Sequence, residues 1–163
     1  MTNYYCLVTG LPDLSLDDGK LNYTVANFKT ELYPQLSKED KKLIDLFYLK
    51  FDNENLLKLL KDKEAVIDAS LGNYSVDELL SVINSFKEEL PPDKKFPSYF
   101  YQFAALYLDS SEEERIGIED QLYGYYYDYA MSSSNAFVSS WYELNLNVNN
   151  ILSALSARKY KMD

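Results

Sequence analysis

The chain reads as all-α: a multi-helix bundle with a long C-terminal helix and a short extended N-terminal arm. Leucine occurs 25 times against 13 for valine and isoleucine together, and only five glycines punctuate the chain, a balance that favours helices over sheets. Serine followed three residues later by an acid recurs at Ser37 and Asp40, Ser75 and Glu78, and Ser111 and Glu114. In that pairing the serine side chain bonds an exposed amide of the first helical turn and the acid bonds back. Finally, large apolar residues near the C-terminus are spaced by alternating steps of four and three, a helical period.

Taken in order, Tyr4-Tyr5-Cys6-Leu7-Val8-Thr9 is short, aromatic and followed by Gly10-Leu11-Pro12, which predicts a strand stub or extended arm. Asp13 to Lys20 reads as a loop. A first helix is expected from about Asn22 to Tyr33, where Pro34 ends or kinks it. The serine signals then start three later helices. In the one from Ser75, the residues Val76, Leu79, Leu80, Ile83, Phe86 and Leu90 form one apolar stripe. Pro91-Pro92-Asp93-Lys94-Lys95-Phe96-Pro97 stops that helix and forms a stiff joint within a single domain, 1–163. An apolar helix follows over Ser98 to Asp109.

From Asn135 to Tyr160, the residues Phe137, Trp141, Leu144, Val148, Ile151 and Leu155 keep to one face of a helix of roughly 26 residues, about 39 Å long. Such a helix is expected to pack against partner helices along its length. Its basic end, Arg158-Lys159-Tyr160-Lys161, suits the negative pole of the helix dipole. The sequence stops just past that turn, which leaves open a longer natural protein cut at this point.

At 163 residues, with 47% hydrophobic and 26% charged residues, the chain is sized for one domain with a real core. The net charge of -10 has the wrong sign for a general grip on phosphate backbones or anionic lipid, so no nucleic-acid partner is expected. Histidine is absent, which removes Ser-His-Asp and Cys-His nucleophiles, Glu-x-x-His metal bundles and His-ligated zinc together. Cys6 stands alone, so no intrachain disulfide forms. With no secretory signal the chain reads as cytoplasmic, and the sequons at Asn22 and Asn73 carry no weight. No apolar run reaches the roughly 18 residues of a membrane span.

Candidate chemistry is sparse. Asp13, Ser15, Asp17, Asp18 and Gly19 evoke a calcium loop, but the sixth and twelfth positions hold Asp18 and Thr24 instead of glycine and glutamate. Gly19-Lys20 lacks the earlier glycine and the following Ser or Thr of a phosphate loop. The acids Glu112, Glu113, Glu114, Glu119 and Asp120 fit a solvated first turn favoured by the helix dipole. No metal, cofactor, general acid or general base is expected.

Tyrosine is the unusual feature: 16 residues in all, with Tyr123, Tyr125, Tyr126, Tyr127 and Tyr129 close together. On a helix these rings point nearly all round the axis. Two readings stay open, core-plus-rim packing and a partner-binding surface. An internal echo also appears. Residues 51–60, with Asp52 and Asn55, line up 95 positions later with residues 146–155, which carry Asn147 and Asn150. Either a leucine-rich helical chain repeats Asn-Leu-Leu-x-x-Leu by chance, or a helical unit is duplicated.

The opening Tyr4-Tyr5-x-Leu7-Val8-x-x-Leu11-Pro12, the Tyr125-Tyr126 pair, Asn135-x-Phe137 with Trp141, and Asn150-x-x-x-Ala154-Leu155-x-Ala157-Arg158-Lys159-Tyr160 together resemble a bacterial family encoded among V-type ATP synthase subunits. The Asp52/Asn55 echo is similar to the repeated Asp-x-x-Asn-Leu motif in the funnel-shaped central-stalk protein of those rotary ATPases, which is all-helical and built from repeated units. Asn147 replaces the acid in the second copy. The resemblance implies a non-catalytic adaptor that joins the central stalk to the membrane rotor ring. Its partners would be other rotary ATPase subunits, and it would lie in the cytoplasm, held at the inner membrane through them without inserting. The funnel-shaped protein is longer, so this chain would correspond to a reduced version or a fragment. The residues expected at partner contacts are Tyr123, Tyr125, Tyr126, Tyr127, Tyr129, Asp52, Asn55 and Asn150. The alternatives are an enzyme whose site is assembled from Asp and Glu, and a helical scaffold unrelated to ATPases.

Overall fold

The computed structural model describes residues 4–13, 15, 19, 23–88 and 90–160, the side chain of Lys87 excepted. Among them there are seven α-helices and no strand. The chain is all-α as its composition predicts. The expected start at Asn22, and Asp17 and Asp18 of the acidic loop, lie outside the described residues.

The N-terminal segment corrects the expectation of an extended arm, because Tyr5–Thr9 forms one helical turn, α1. The Thr9 hydroxyl bonds the Tyr5 carbonyl at 2.9 Å, and the Val8 amide bonds the Tyr4 carbonyl at 2.8 Å. Local bonds of this kind satisfy a short aromatic segment that finds no neighbouring strand. Tyr4 anchors the turn: its hydroxyl donates to Asp40 at 2.6 Å and accepts the Ser37 amide at 2.8 Å.

Thr24 caps α2 (Val25–Asn27), which runs directly into a wider-wound turn, Phe28–Leu32, and a tight turn, Tyr33–Gln35, that carries Pro34. The helix therefore ends at the proline as expected, with its last turns unwound where Pro34 supplies no amide donor.

Five longer helices make the body: α3 (Lys38–Lys61), α4 (Val76–Lys87), α5 (Ser98–Asp109), α6 (Ile118–Met131) and α7 (Ala136–Tyr160). Ser37 and Ser75 cap α3 and α4 as their spacing predicts. The Ser111 signal behaves differently. Its reciprocal bonds with Glu114 form, at 2.8 and 3.4 Å, but they shape a turn, and α6 begins only after Gly117. The φ of 76° there is a left-handed conformation that glycine adopts without steric cost. The stripe on α4 is also shorter than its spacing suggests: Leu79 and Ile83 are buried, whereas Val76, Phe86 and Leu90 are exposed.

α3 packs against α4, α5 and α6; α4 packs on α5, α5 on α6, and α6 on α7. The core lies between them. Leu49, Leu56 and Leu59 of α3 meet Leu79, Val82 and Ile83 of α4, Phe100 and Phe103 of α5, and Leu122 and Tyr126 of α6. Burying each of these side chains contributes on the order of 1.5–3 kcal/mol before chain entropy is subtracted. α7 reaches the core through Val138 and Tyr142 alone.

Candidate partner-binding surface

Asp52 and Asn55 stand three residues apart on the inward face of α3, both buried, and together they hold the segment that leads into α4. The Asn55 amide donates to the Asp68 carbonyl at 2.9 Å. The Asp52 carboxylate accepts the Asn73 amide at 2.9 Å on either oxygen, the Tyr74 amide at 3.1 Å and the Asn73 side-chain amide at 3.0 Å. Gly72 leaves the space for this cradle, since a Cβ there would fall on the carboxylate. From the other side Lys29, on the wide turn, donates to the carbonyls of Ser70 at 3.1 Å, Leu71 at 2.9 Å and Gly72. Its ammonium sits 4.4 Å from the centre of the Tyr48 ring.

Burial dominates the electrostatics of the cradle. It pushes the Asp52 carboxyl up to about 6 against the opposing pull of the Asn73 and Tyr74 bonds and of Lys29, because a charge loses hydration that hydrogen bonds only partly restore. Desolvation likewise lowers Lys29, while Asp52 and Asp45 oppose the shift. Asp45 is raised by burial too, although Tyr33 donates to it at 2.6 Å. A cleft of about 690 Å³ opens beside the cradle, lined by Lys29, Tyr33, Lys42, Asn73, Lys94 and Tyr129 among others.

The five clustered tyrosines divide by position around α6. Tyr126 is buried; its hydroxyl donates to the Leu46 carbonyl at 3.0 Å and lies 2.8 Å from the Tyr142 hydroxyl. Because the Tyr126 proton goes to Leu46, Tyr142 is the donor of that pair. Their rings meet edge to face at 5.5 Å, an arrangement favoured by the ring quadrupoles. Desolvation pushes Tyr142 up to about 12 and Tyr126 higher still. Tyr125 and Tyr127 are half-buried against the core, and Tyr127 accepts the Asn149 amide of α7 at 2.9 Å. Tyr123 and Tyr129 are exposed, Tyr129 with its ring 5.4 Å from that of Tyr99. The structure thus brings Tyr126, Asp52 and Asn55 into the interior and leaves Tyr123 and Tyr129 at the surface. Asn150 is exposed on α7, apart from all of them.

The period of α7 predicts partner helices along its length, and among the described residues its seam has none: Phe137, Trp141, Leu144, Val148, Ile151 and Leu155 all face outward, between 45% and 71% exposed. The side of the helix seated on α6 carries Val138 and Tyr142 instead. The bundle is already closed by α3 to α6, so only the first half of α7 has a neighbour to lie on. Leu152 widens the outward row, and Phe137 stacks on Trp141 at 6.3 Å. Together these side chains form a continuous exposed apolar row along the helix.

Sequence reasoning missed Lys29, Gly72 and Asn73. A lone lysine 23 positions before Asp52 gives no periodic signal, whereas the Gly72-Asn73 pair is a turn signal that could have been read. Among the described residues no three of Cys, Asp and Glu gather as metal ligands, and no helix is long and apolar enough to cross a membrane.

The fold and surface define an all-α protein with a cradle-braced bundle and an amphipathic C-terminal helix whose apolar face is uncovered. A family profile described as a protein of unknown function, DUF2764, matches residues 1–163, and the chain belongs to that family. No curated protein and no solved structure matches it.

Proposed function

We propose that the chain is a non-catalytic helical adaptor of the V-type ATPase kind, akin to the funnel-shaped protein of the central stalk, coupling that stalk to the membrane rotor ring for ATP-driven or ATP-forming ion transport. It lies in the cytoplasm and is held at the inner membrane through its partner subunits. The observation that carries this reading is the outward row on α7, a large apolar face displayed on a helix braced by a rigid bundle. The ATPase assignment adds to it the likeness of the quoted motifs to proteins encoded with V-type subunits. The polar groups of the interior support the same reading, since Asp52, Asn55 and Lys29 are engaged in fixing a loop and stiffening the body that carries α7.

The test is recovery of complexes from detergent-solubilised native cells through an affinity tag on this chain. Recovery of stalk and rotor-ring proteins, lost on Leu144→Glu or Ile151→Glu, is the expected result. An intact, folded chain that brings down none of them defeats the ATPase assignment.

A further inference from the structure

We propose that the outward face of α7 is a self-association surface, on which a second copy of this chain docks with its α7 running antiparallel. The inference rests on the reading of that face as a docking surface: a second copy covers it in the free chain, and a stalk partner takes the place of that copy.

The face is built for one partner helix. Its large residues repeat at steps of four and three from Phe137 to Leu155, the narrow seam of a two-stranded coil rather than the broad stripe a helix uses against several neighbours. α3 offers the contrast, because its buried residues Tyr48, Leu49, Asp52, Asn53, Asn55, Leu56 and Leu59 spread over almost half its circumference and meet three helices.

The spacing reads the same in both directions, as a two-fold axis demands of a surface that meets its own copy. Turned antiparallel, the seam forms layers of Phe137 on Leu155, Trp141 on Ile151 and Leu144 on Val148, and then the same layers in reverse. Each aromatic side chain faces an aliphatic one, so no layer sets two rings of the same kind against each other.

Charge selects both the partner and the direction. The positions flanking the seam are Val138, Asn145 and Leu152 on one side and Ser140, Asn147 and Ala154 on the other, with no charge among them. Flanking charges are what coiled coils use to reject self-pairing or to choose a different partner, and here nothing repels a second copy. From residue 136 to 160 the helix carries only Glu143, Arg158 and Lys159, in a chain of net charge -10. A parallel pair would set the two basic ends together and the two acidic bodies side by side. The antiparallel pair brings Arg158 level with Ser134 of the other copy, whose cleft carries Glu39 as well as Lys42, and places the two bodies at opposite ends. With seven large side chains at these exposures, each copy would cover on the order of 600 Å², or about 1,200 Å² for the pair, the lower bound of the standard class of stable interfaces.

Sedimentation velocity of the purified chain from ~1 to ~100 µM tests this. The expected species is twice 18.9 kDa, with the Trp141 emission shifted to the blue as the dimer forms. Leu144→Glu and Val148→Glu replace exposed residues, so the fold is retained by circular dichroism while dimerisation weakens at least ~tenfold. Direction is read in a Cys6→Ser background by mixing Leu144→Cys with Val148→Cys, which forms mixed disulfides if the pair is antiparallel. A monomer throughout the range, a dimer indifferent to Leu144→Glu, or disulfides joining like positions overturns the proposal. The two readings fail separately. A monomer that still recovers ATPase proteins leaves the adaptor standing, and a dimer that recovers none leaves the self-pairing standing.

Discussion

α3 and α7 are nearly equal in length, 24 and 25 residues, and share a ten-residue echo, yet α3 buries seven side chains and α7 only two. Leu56 is fully buried where its counterpart Ile151 is 60% exposed. Asp52 and Asn55 each grip a loop, while Asn147 and Asn150 stand in solvent. A sequence pattern specifies which residues share a helix face, but what covers that face depends on the neighbours supplied. α3 receives α4, α5 and α6, whereas α7 lies mainly on α6 and meets α3 where Tyr142 packs on Phe47.

Paired substitutions at echoing positions test this contrast. Asp52→Ala has the largest expected effect. It leaves the Asn73 and Tyr74 amides without their acceptor and opens a void, and is expected to lower unfolding free energy by about 4 kcal/mol. Asn147→Ala at the echo position should change it by less than ~0.5 kcal/mol. Denaturant titration of both variants provides the comparison, and similar losses would mean that α7 is covered as α3 is. Next, Leu56→Ala is expected to cost about 3 kcal/mol through its cavity, against under ~0.5 kcal/mol for Ile151→Ala in the monomer, read from thermal melts at low protein concentration.

The third prediction concerns pH. Burial raises the Asp52 carboxyl to about 6, from 3.8 in the unfolded chain. The folded state therefore holds this proton more tightly, and the contribution of Asp52 is greatest below about pH 3.8. It falls as pH rises through about 6, by at most about 3 kcal/mol, and is level above that. Relative to Asp52→Asn, the wild-type chain should lose stability across that window, and a flat difference between the two titrations counts against a desolvated carboxylate. Among the interior substitutions Tyr126→Phe should cost least, about 1–2 kcal/mol, because it leaves the Tyr142 hydroxyl without its acceptor; urea unfolding measures it.

Much of the helical framework could be read from residues. Ser37 and Ser75 marked true helix starts because the bonds they make are local, and Pro34 and the Pro91–Pro97 joint marked breaks for the same reason. The α1 turn and the late start of α6 escaped, one decided by how Tyr4 docks on α3, the other by the backbone of a single glycine. The candidate site was legible only in part. Asp52 and Asn55 stand out through the internal echo and the motif they resemble, but the loop they hold does not, since Gly72, Asn73 and Lys29 come together through tertiary folding. The period of α7 was legible and its outward turn was not, because periodicity fixes a face without saying which way it turns.

The uncovered half of α7 also has a dynamic consequence. The Asn149 amide is the last hydrogen bond that ties the helix to another element among the described residues, and the stretch around it carries four asparagines, which are poor helix formers. A short helical end held by its own backbone alone is marginal in water, so its amide protons should exchange within the solvent-accessible regime while those of α3 stay protected. Docking would then act as a clasp, and the slowing of exchange at Ile151 to Tyr160 would time its closing.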